Sequence, residues 1–213
     1  MADEFLLAEY TLPAGSSRYS GIMPSLDDLL TKAGLMPQEL GGLTVALGPG
    51  SFTGIRIGLS IIKGLSESLD IPVVGVPTLE AMANQLSCVD EDICPLVASR
   101  KGEVFTALFR WSKPGELLRV KNDTCIKITE IATMLEAKTV FIGNNLAQQG
   151  PVLKRLLGAN TLLAASNLWT LRASSVGMVA LRRLRKGDSD NSSELVPLYL
   201  RGADIRAPKN KFQ

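Results

Sequence analysis

The sequence predicts an α/β protein built in two halves, and three features carry that prediction. A short apolar run, a glycine-rich turn, an amphipathic stretch and a second apolar run follow one another over residues 43–76, the order of a β-α-β unit. Past Asp90-Glu-Asp92 the pattern changes to two strand-like runs separated by a short turn with Gly102, so a second sheet starts there. With 213 residues, 46% apolar and 21% charged, and no low-complexity tract, the chain can bury a substantial core and lacks the composition of disorder.

Taken in order, residues 5–12 read as a strand and 15–17 as the turn after it. Ile22, Met23, Leu26, Leu29, Leu30 and Ala33 recur at helical spacing over about 120° of surface, one ordinary buried face, with Gly34 as the stop. Residues 43–47 and 72–76 are short apolar strands flanking a helix, which favours parallel pairing and a right-handed crossover. Another helix is predicted over 79–86. Strands at 93–98 and 104–111 form a hairpin through Ser99-Arg-Lys-Gly-Glu103, 139–142 is a further strand, and 173–186 is a helix with basic residues in its last turn and Gly187 beyond its end.

The turn before the second helix holds Gly48, Gly50 and Gly54, which allow backbone N–H groups to collect where the helix dipole favours an anion. Its G-x-G-x-x-x-G spacing is one residue longer than the dinucleotide fingerprint, and no G-K-[ST] follows. Two readings stay open. Gly48, Gly50, Ser51, Thr53, Gly54 and Arg56 form a phosphate or nucleotide site, or the glycines only permit a close strand–helix crossing. Arg56 in the first turn opposes the dipole by a few tenths of a kcal/mol or more, so it points to an anionic partner, either a carboxylate on another chain or a phosphate; otherwise it is a solvent-facing arginine.

That helix is apolar around more of its circumference than one sheet requires. Arg56, Ser60, Lys63 and Glu67 form a polar stripe only about 40–60° wide, and the apolar residues spread over roughly 200°. The excess at Ile57, Ile61 and Leu65 needs a cover, from the preceding helix or from another chain.

Several chemistries are excluded or left without support. The chain has no histidine, which removes Ser-His-Asp and Cys-His triads and H-E-x-x-H zinc sites. Cys88, Cys94 and Cys125 are odd in number and lack C-x-x-C spacing, so they read as reduced structural thiols, and no metal site is expected. Glu39, Glu67, Asp70, Glu80 and Glu103 are scattered and read as solvated or capping residues. Net charge is only +2, and aromatic residues at 5% are too few for a base-stacking platform. The basic clusters, Arg172, Arg182, Arg183, Arg185 and Lys186 and then Arg201, Arg206, Lys209 and Lys211, read as a solvated face rather than a nucleic-acid contact. No stretch is long and apolar enough to span a bilayer, and Met1-Ala-Asp-Glu is not the basic start of a signal peptide, so the cytoplasm is the expected location and no membrane partner is expected.

Gly48-Pro-Gly-Ser-Phe-Thr-Gly-Ile-Arg-Ile-Gly58 resembles the signature of the TsaB family, also called YeaZ, whose members help make threonylcarbamoyladenosine in tRNA. Leu7-Ala-Glu-Tyr10, the helix over 23–35, Val76-Pro-Thr-Leu-Glu-Ala81, Arg100 with Gly102-Glu-Val104, and Pro197-Leu-Tyr-Leu-Arg201 follow in the family's order, so the resemblance covers nearly the whole chain. It implies two stacked RNase H-like lobes of the actin-like ATPase superfamily: an N-terminal lobe over 1–95 without the family's usual first strand, a C-terminal lobe over 96–187, and a segment over 188–213 packing back on the first. The chain also departs from the family in having Ala98 where an aspartate is common and Ser16-Ser-Arg-Tyr19 in place of a Thr-His-Ser stretch.

The resemblance implies pairing through the two helices of the first lobe, here Met23, Leu26, Leu30, Ile57, Ile61 and Leu65, with a second copy when alone or with the catalytic subunit TsaD. The ATPase TsaE is a third member, and tRNA is met only indirectly. No cofactor is required, and weak ATP or ADP binding would fall at the interface of a complex. Two functions remain open. One is a non-catalytic scaffold supporting TsaD as it forms N6-threonylcarbamoyladenosine next to the anticodon. The other is a small actin-like nucleotide-binding phosphatase or kinase using residues 48–54. The missing first turn, the absent histidine and the lack of an acidic cluster favour the scaffold.

Overall fold

The computed structural model describes residues 5–12, 21–87, 89–100 and 102–201; the predicted turn at 15–17, the 16–19 stretch, Cys88, Arg206, Lys209 and Lys211 lie outside the described residues. β1 (Leu43–Gly48) pairs in parallel with β2 (Val73–Pro77), Leu43 opposite Val73 and Ala46 opposite Val76. α2 (Phe52–Leu69) connects them. It starts at Ser51, whose hydroxyl accepts the Gly54 N–H at 3.3 Å, and it stops at Asp70 in the left-handed conformation. The pleat sends alternate side chains to opposite faces. Leu43, Val45, Leu47 and Val73 meet Leu59 and Ile62 of α2, whereas Ala46, Val74 and Val76 meet Val176, Val179 and Ala180 of α5 (Ala173–Leu184).

The second sheet has five strands. β3 (Asp92–Ala98), β4 (Glu103–Lys113) and β5 (Glu116–Lys127) run antiparallel in turn, while β6 (Thr139–Gly143) is parallel to β3 and β7 (Thr161–Leu163) is parallel to β6, giving the order β5-β4-β3-β6-β7. The β3–β4 hairpin closes at Gly102, φ 78°, with Ser99 N–H donating to Glu103 O at 3.1 Å. One face of this sheet is covered by α3 (Thr78–Asn84), which lays Leu79, Met82 and Ala83 against Ile93, Phe109 and Ile142. On the other, α4 (Leu146–Leu157) packs Leu146 and Leu153 against Leu96, Leu108 and Phe141. Helices are thus exchanged: α3 follows the first sheet in sequence and covers the second, and α5 follows the second and covers the first.

Beyond α5 the chain returns across the first sheet. Asp190 bridges Val73 in antiparallel fashion and accepts the Gly75 N–H at 2.8 Å, Leu195 is buried against Val73, and Leu198 donates its N–H to Leu47 O at 2.8 Å.

Two sequence expectations are corrected. Residues 5–12 do not form a strand: Phe5 makes a single bridge and 6–12 join no ladder. A strand needs a paired neighbour to satisfy its backbone, and among the described residues no strand of either sheet pairs with this segment. α1 (Ile22–Ala33) forms and is closed by Gly34 at φ 68°, but none of its residues is buried, because it packs closely against no other described element. The sequence also left β5, β7 and α4 unread. β5 carries Asn122-Asp123 and alternates charged residues on an edge exposed to water, and β7 is only three residues long. α4 contains Gly150 and Pro151, yet it persists because the burial of Leu146 and Leu153 outweighs the lost internal hydrogen bond at an exposed proline. No described helix is long and apolar enough to cross a membrane.

Candidate functional site

Two surfaces meet along α2: the glycine turn at its start and an apolar stripe along its outer side. At the turn, Gly48 has φ 107°, and a Cβ there would lie 2.9 Å from Ile55 Cδ1 and 3.0 Å from Leu198 O, so glycine is required by the close crossing itself. Gly50 also faces Ile55. Ser51 and Thr53 are exposed beside Gly54, whose N–H is already taken by Ser51. The turn borders a cleft of about 460 Å³ between the two sheets, closed on the other sides by Ser99 and Arg100 of the β3–β4 turn and by Leu198 to Arg201. Arg201 spans the rim to Glu103 at 2.5 Å.

Arg56 has a partner within the chain. Its Nε donates to the Tyr199 hydroxyl at 2.8 Å, its guanidinium lies 3.9 Å from the centre of the Phe52 ring, and Phe52 stacks on Tyr199 with centroids 5.2 Å apart. Within the described residues Arg56 thus lies against two aromatic faces and a hydroxyl while staying exposed to solvent. Tyr199 escaped sequence reasoning because 143 residues separate it from Arg56; it belongs to the Pro197 to Arg201 motif, the one signal that pointed to it.

The rest of the polar stripe binds the same returning segment. Lys63 donates to Ser193 O at 3.2 Å, Glu67 accepts from the Ser192 hydroxyl, and Ser60 turns back to Arg56 O. With Leu59 and Ile62 on the sheet, two sides of α2 are occupied. Ile57, Ile61 and Leu65 form the third side; they are half-buried and belong to none of the described core clusters. α1 does not seal them: Met23 is 48% exposed, and Leu26 and Leu30 are half-buried.

The charged residues elsewhere are engaged in the fold. Arg172 holds Glu9 at 2.6 Å, Arg182 donates to Gly115 O at 3.0 Å, and Arg183 pairs with Asp188 and Asp190, each at 2.7 Å. Burial alone would raise the pKa of Glu9, but the Ser174 N–H and Arg172 outweigh it and hold the carboxyl below the usual range. Asp190 is likewise held low, first by its hydrogen bond from Arg183, against desolvation and with help from the Gly75 N–H. Glu80 pairs with Arg119 and Glu39 caps Met36 N–H, so no pair of carboxylates is poised for chemistry among them. Burial pushes the Cys94 thiol up to about 12, as befits a structural side chain. Among the described residues no three histidine, cysteine, aspartate or glutamate side chains gather to hold a metal.

A family model described as TsaD, tRNA N6-adenosine threonylcarbamoyltransferase, matches residues 14–206. The tRNA threonylcarbamoyladenosine biosynthesis protein TsaB of Bacillus subtilis is 30% identical over 210 residues, 97% of this chain and 90% of the relative. The chain belongs to the TsaB family. TsaB of Escherichia coli is 28% identical over 84% of the chain and 79% of its own length. YeaZ from Pseudomonas aeruginosa superposes with a TM-score of 0.72 at 22% identity, covering 86% of this chain and 85% of that one. The TsaB fold of two RNase H-like lobes in the actin-like arrangement accounts for the two sheets.

Proposed function

We propose that this chain is a subunit without catalysis of its own that supports a TsaD-type transferase in forming N6-threonylcarbamoyladenosine next to the anticodon of tRNA. Membership of the TsaB family places it in that biosynthesis, and the third side of α2 supports the scaffold role. Ile57, Ile61 and Leu65, extended by Met23, Leu26 and Leu30 of α1, are the docking face for TsaD, and a second copy takes that face when the chain is alone. Each fully buried side chain there would contribute about 1.5–3 kcal/mol. A TsaE-type ATPase joins the complex, weak ATP or ADP binding falls at an interface of the complex, and tRNA contact stays indirect because Arg172, Arg182 and Arg183 are committed within the chain. The phosphatase or kinase reading has no observation in its favour, since Arg56 and the Gly54 N–H are already engaged. Reconstitution tests the proposal. The chain alone is expected to leave tRNA unmodified and ATP intact, and to raise TsaD turnover on mixing. Robust ATPase activity of the purified chain, lost on changing Thr53 or Arg56, would sink it.

A further inference from the structure

In the second sheet the chain leaves two neighbouring strands in opposite directions. β3 and β6 are parallel, with Leu96 opposite Gly143, and both end on the same rim. From Ala98 the chain turns to β4 on one side, and from Gly143 it passes through α4 to β7 on the other. Such a divergence leaves a crevice beyond the carboxyl ends of the strands, the usual seat of a ligand in an open α/β sheet. Here the crevice holds about 340 Å³, and Ser99 of the β3–β4 turn faces Asn145, Gln148 and Gln149 at the start of α4 across it.

Two groups in the crevice lack what a fold ordinarily supplies. The start of α4 is uncapped: the Asn145 side chain makes no capping bond and donates instead to Gln148 Oε1 at 3.3 Å, and no carboxylate lies in the first turn. The positive end of the helix dipole is thus left without a negative group. Gln149 is only 8% exposed, and its Oε1 has no hydrogen-bond donor among the described residues. A buried acceptor of this kind is costly, so it marks a place where something outside the chain donates. Helical side chains lean towards the N-terminus, which carries the Gln149 amide back to the level of the first turn, and rotation about its broad terminal torsion turns the oxygen to the crevice. One water would take roughly 30 Å³, a small part of the space. Arg100 and the Glu103–Arg201 pair complete the rim, so the charges there do not oppose an anion. An ammonium donor would set a cation beside the positive helix end, so the group that donates to Gln149 is an uncharged hydroxyl.

We propose that the crevice between the β3–β4 turn and the start of α4 binds a small hydroxycarboxylate, its carboxylate at the α4 N-terminus and its hydroxyl donating to Gln149 Oε1. The test is titration of the ¹⁵N-labelled full chain with L-lactate, beside propanoate, which lacks the hydroxyl, and 2-propanol, which lacks the carboxylate, at constant pH and ionic strength. L-lactate is expected to give saturable shifts of the Ala147 N–H and the Gln149 side-chain amide. Propanoate is expected to bind at least about tenfold more weakly, and 2-propanol not to bind. Gln149→Met keeps the length of the side chain while removing the acceptor, and is expected to bring L-lactate down to the affinity of propanoate. If that variant fails to fold, the three probes on the unaltered chain still decide. Equal affinities for L-lactate and propanoate, shifts that do not saturate, shifts confined to residues remote from the start of α4, or a folded Gln149→Met variant that binds L-lactate unchanged would each overturn the proposal.

Discussion

Arg56 sits where the helix dipole disfavours a cation, and two aromatic rings with a hydroxyl compensate it. Arg56→Ala is expected to lower stability by about 0.5–2 kcal/mol, from the lost cation–π contact and hydrogen bond, and Arg56→Lys to recover only part because lysine lacks the planar fork. Urea unfolding midpoints read both; an unchanged midpoint for the alanine variant would mean the stack is incidental. Asp190 and Glu9 contribute to the response to acid. Each has a folded pKa below its unfolded value, so the stability each adds is complete above the ordinary carboxylate range near about 4 and is lost as pH falls through the lower folded value. Asp190→Asn is expected to be less stable than the parent at pH 7 and to lose less on going from about pH 5 to pH 2. Parallel acid titrations of the unfolding free energy would show two superimposable slopes if Asp190 contributes nothing.

At the scale of the element, α2 is a helix with three sides and two described neighbours. The sheet takes Leu59 and Ile62, the returning segment takes Arg56, Lys63 and Glu67, and nothing described takes Ile57, Ile61 and Leu65. A carboxylate placed in a packed interface forfeits apolar burial and adds desolvation, whereas on a half-exposed stripe of the free chain it costs little. Ile61→Asp is therefore expected to abolish self-association and TsaD binding with a melting temperature within a few degrees of the parent. Light scattering after size-exclusion chromatography, run with a thermal melt, checks this. A folded variant that still associates would refute the docking face, and one that cannot be expressed in soluble form would assign the stripe to the chain's own core.

At the scale of the molecule, the exchange of α3 and α5 ties the two sheets into one cooperative unit. Residues 190–201 add to this by holding Val73, Leu47 and Arg56 on one side and Glu103 on the other. Far-ultraviolet circular dichroism reports both sheets, and the two tryptophans, Trp111 and Trp169, report only the second, where each packs against its core. Their denaturation curves are expected to coincide in a single transition; a separate earlier transition by circular dichroism would show that the first sheet unfolds by itself.

The sequence by itself determined the α/β class, the strand, glycine turn and helix over 43–69, the hairpin turning at Gly102 and the oversized apolar surface of α2. Each of these rests on local periodicity or on a residue whose backbone freedom is needed where it stands. Only the tertiary structure decided the rest. Residues 5–12 have the composition of a strand but pair with no described strand, and β5 and α4 hold their shape through burial that their own propensities do not reveal. The partners of Arg56 and Asp190 lie on elements distant in the chain, brought near by the return of the last residues over the first sheet. Whether Ile57, Ile61 and Leu65 would be covered depended on where α1 settles, which is a matter of packing rather than of pattern.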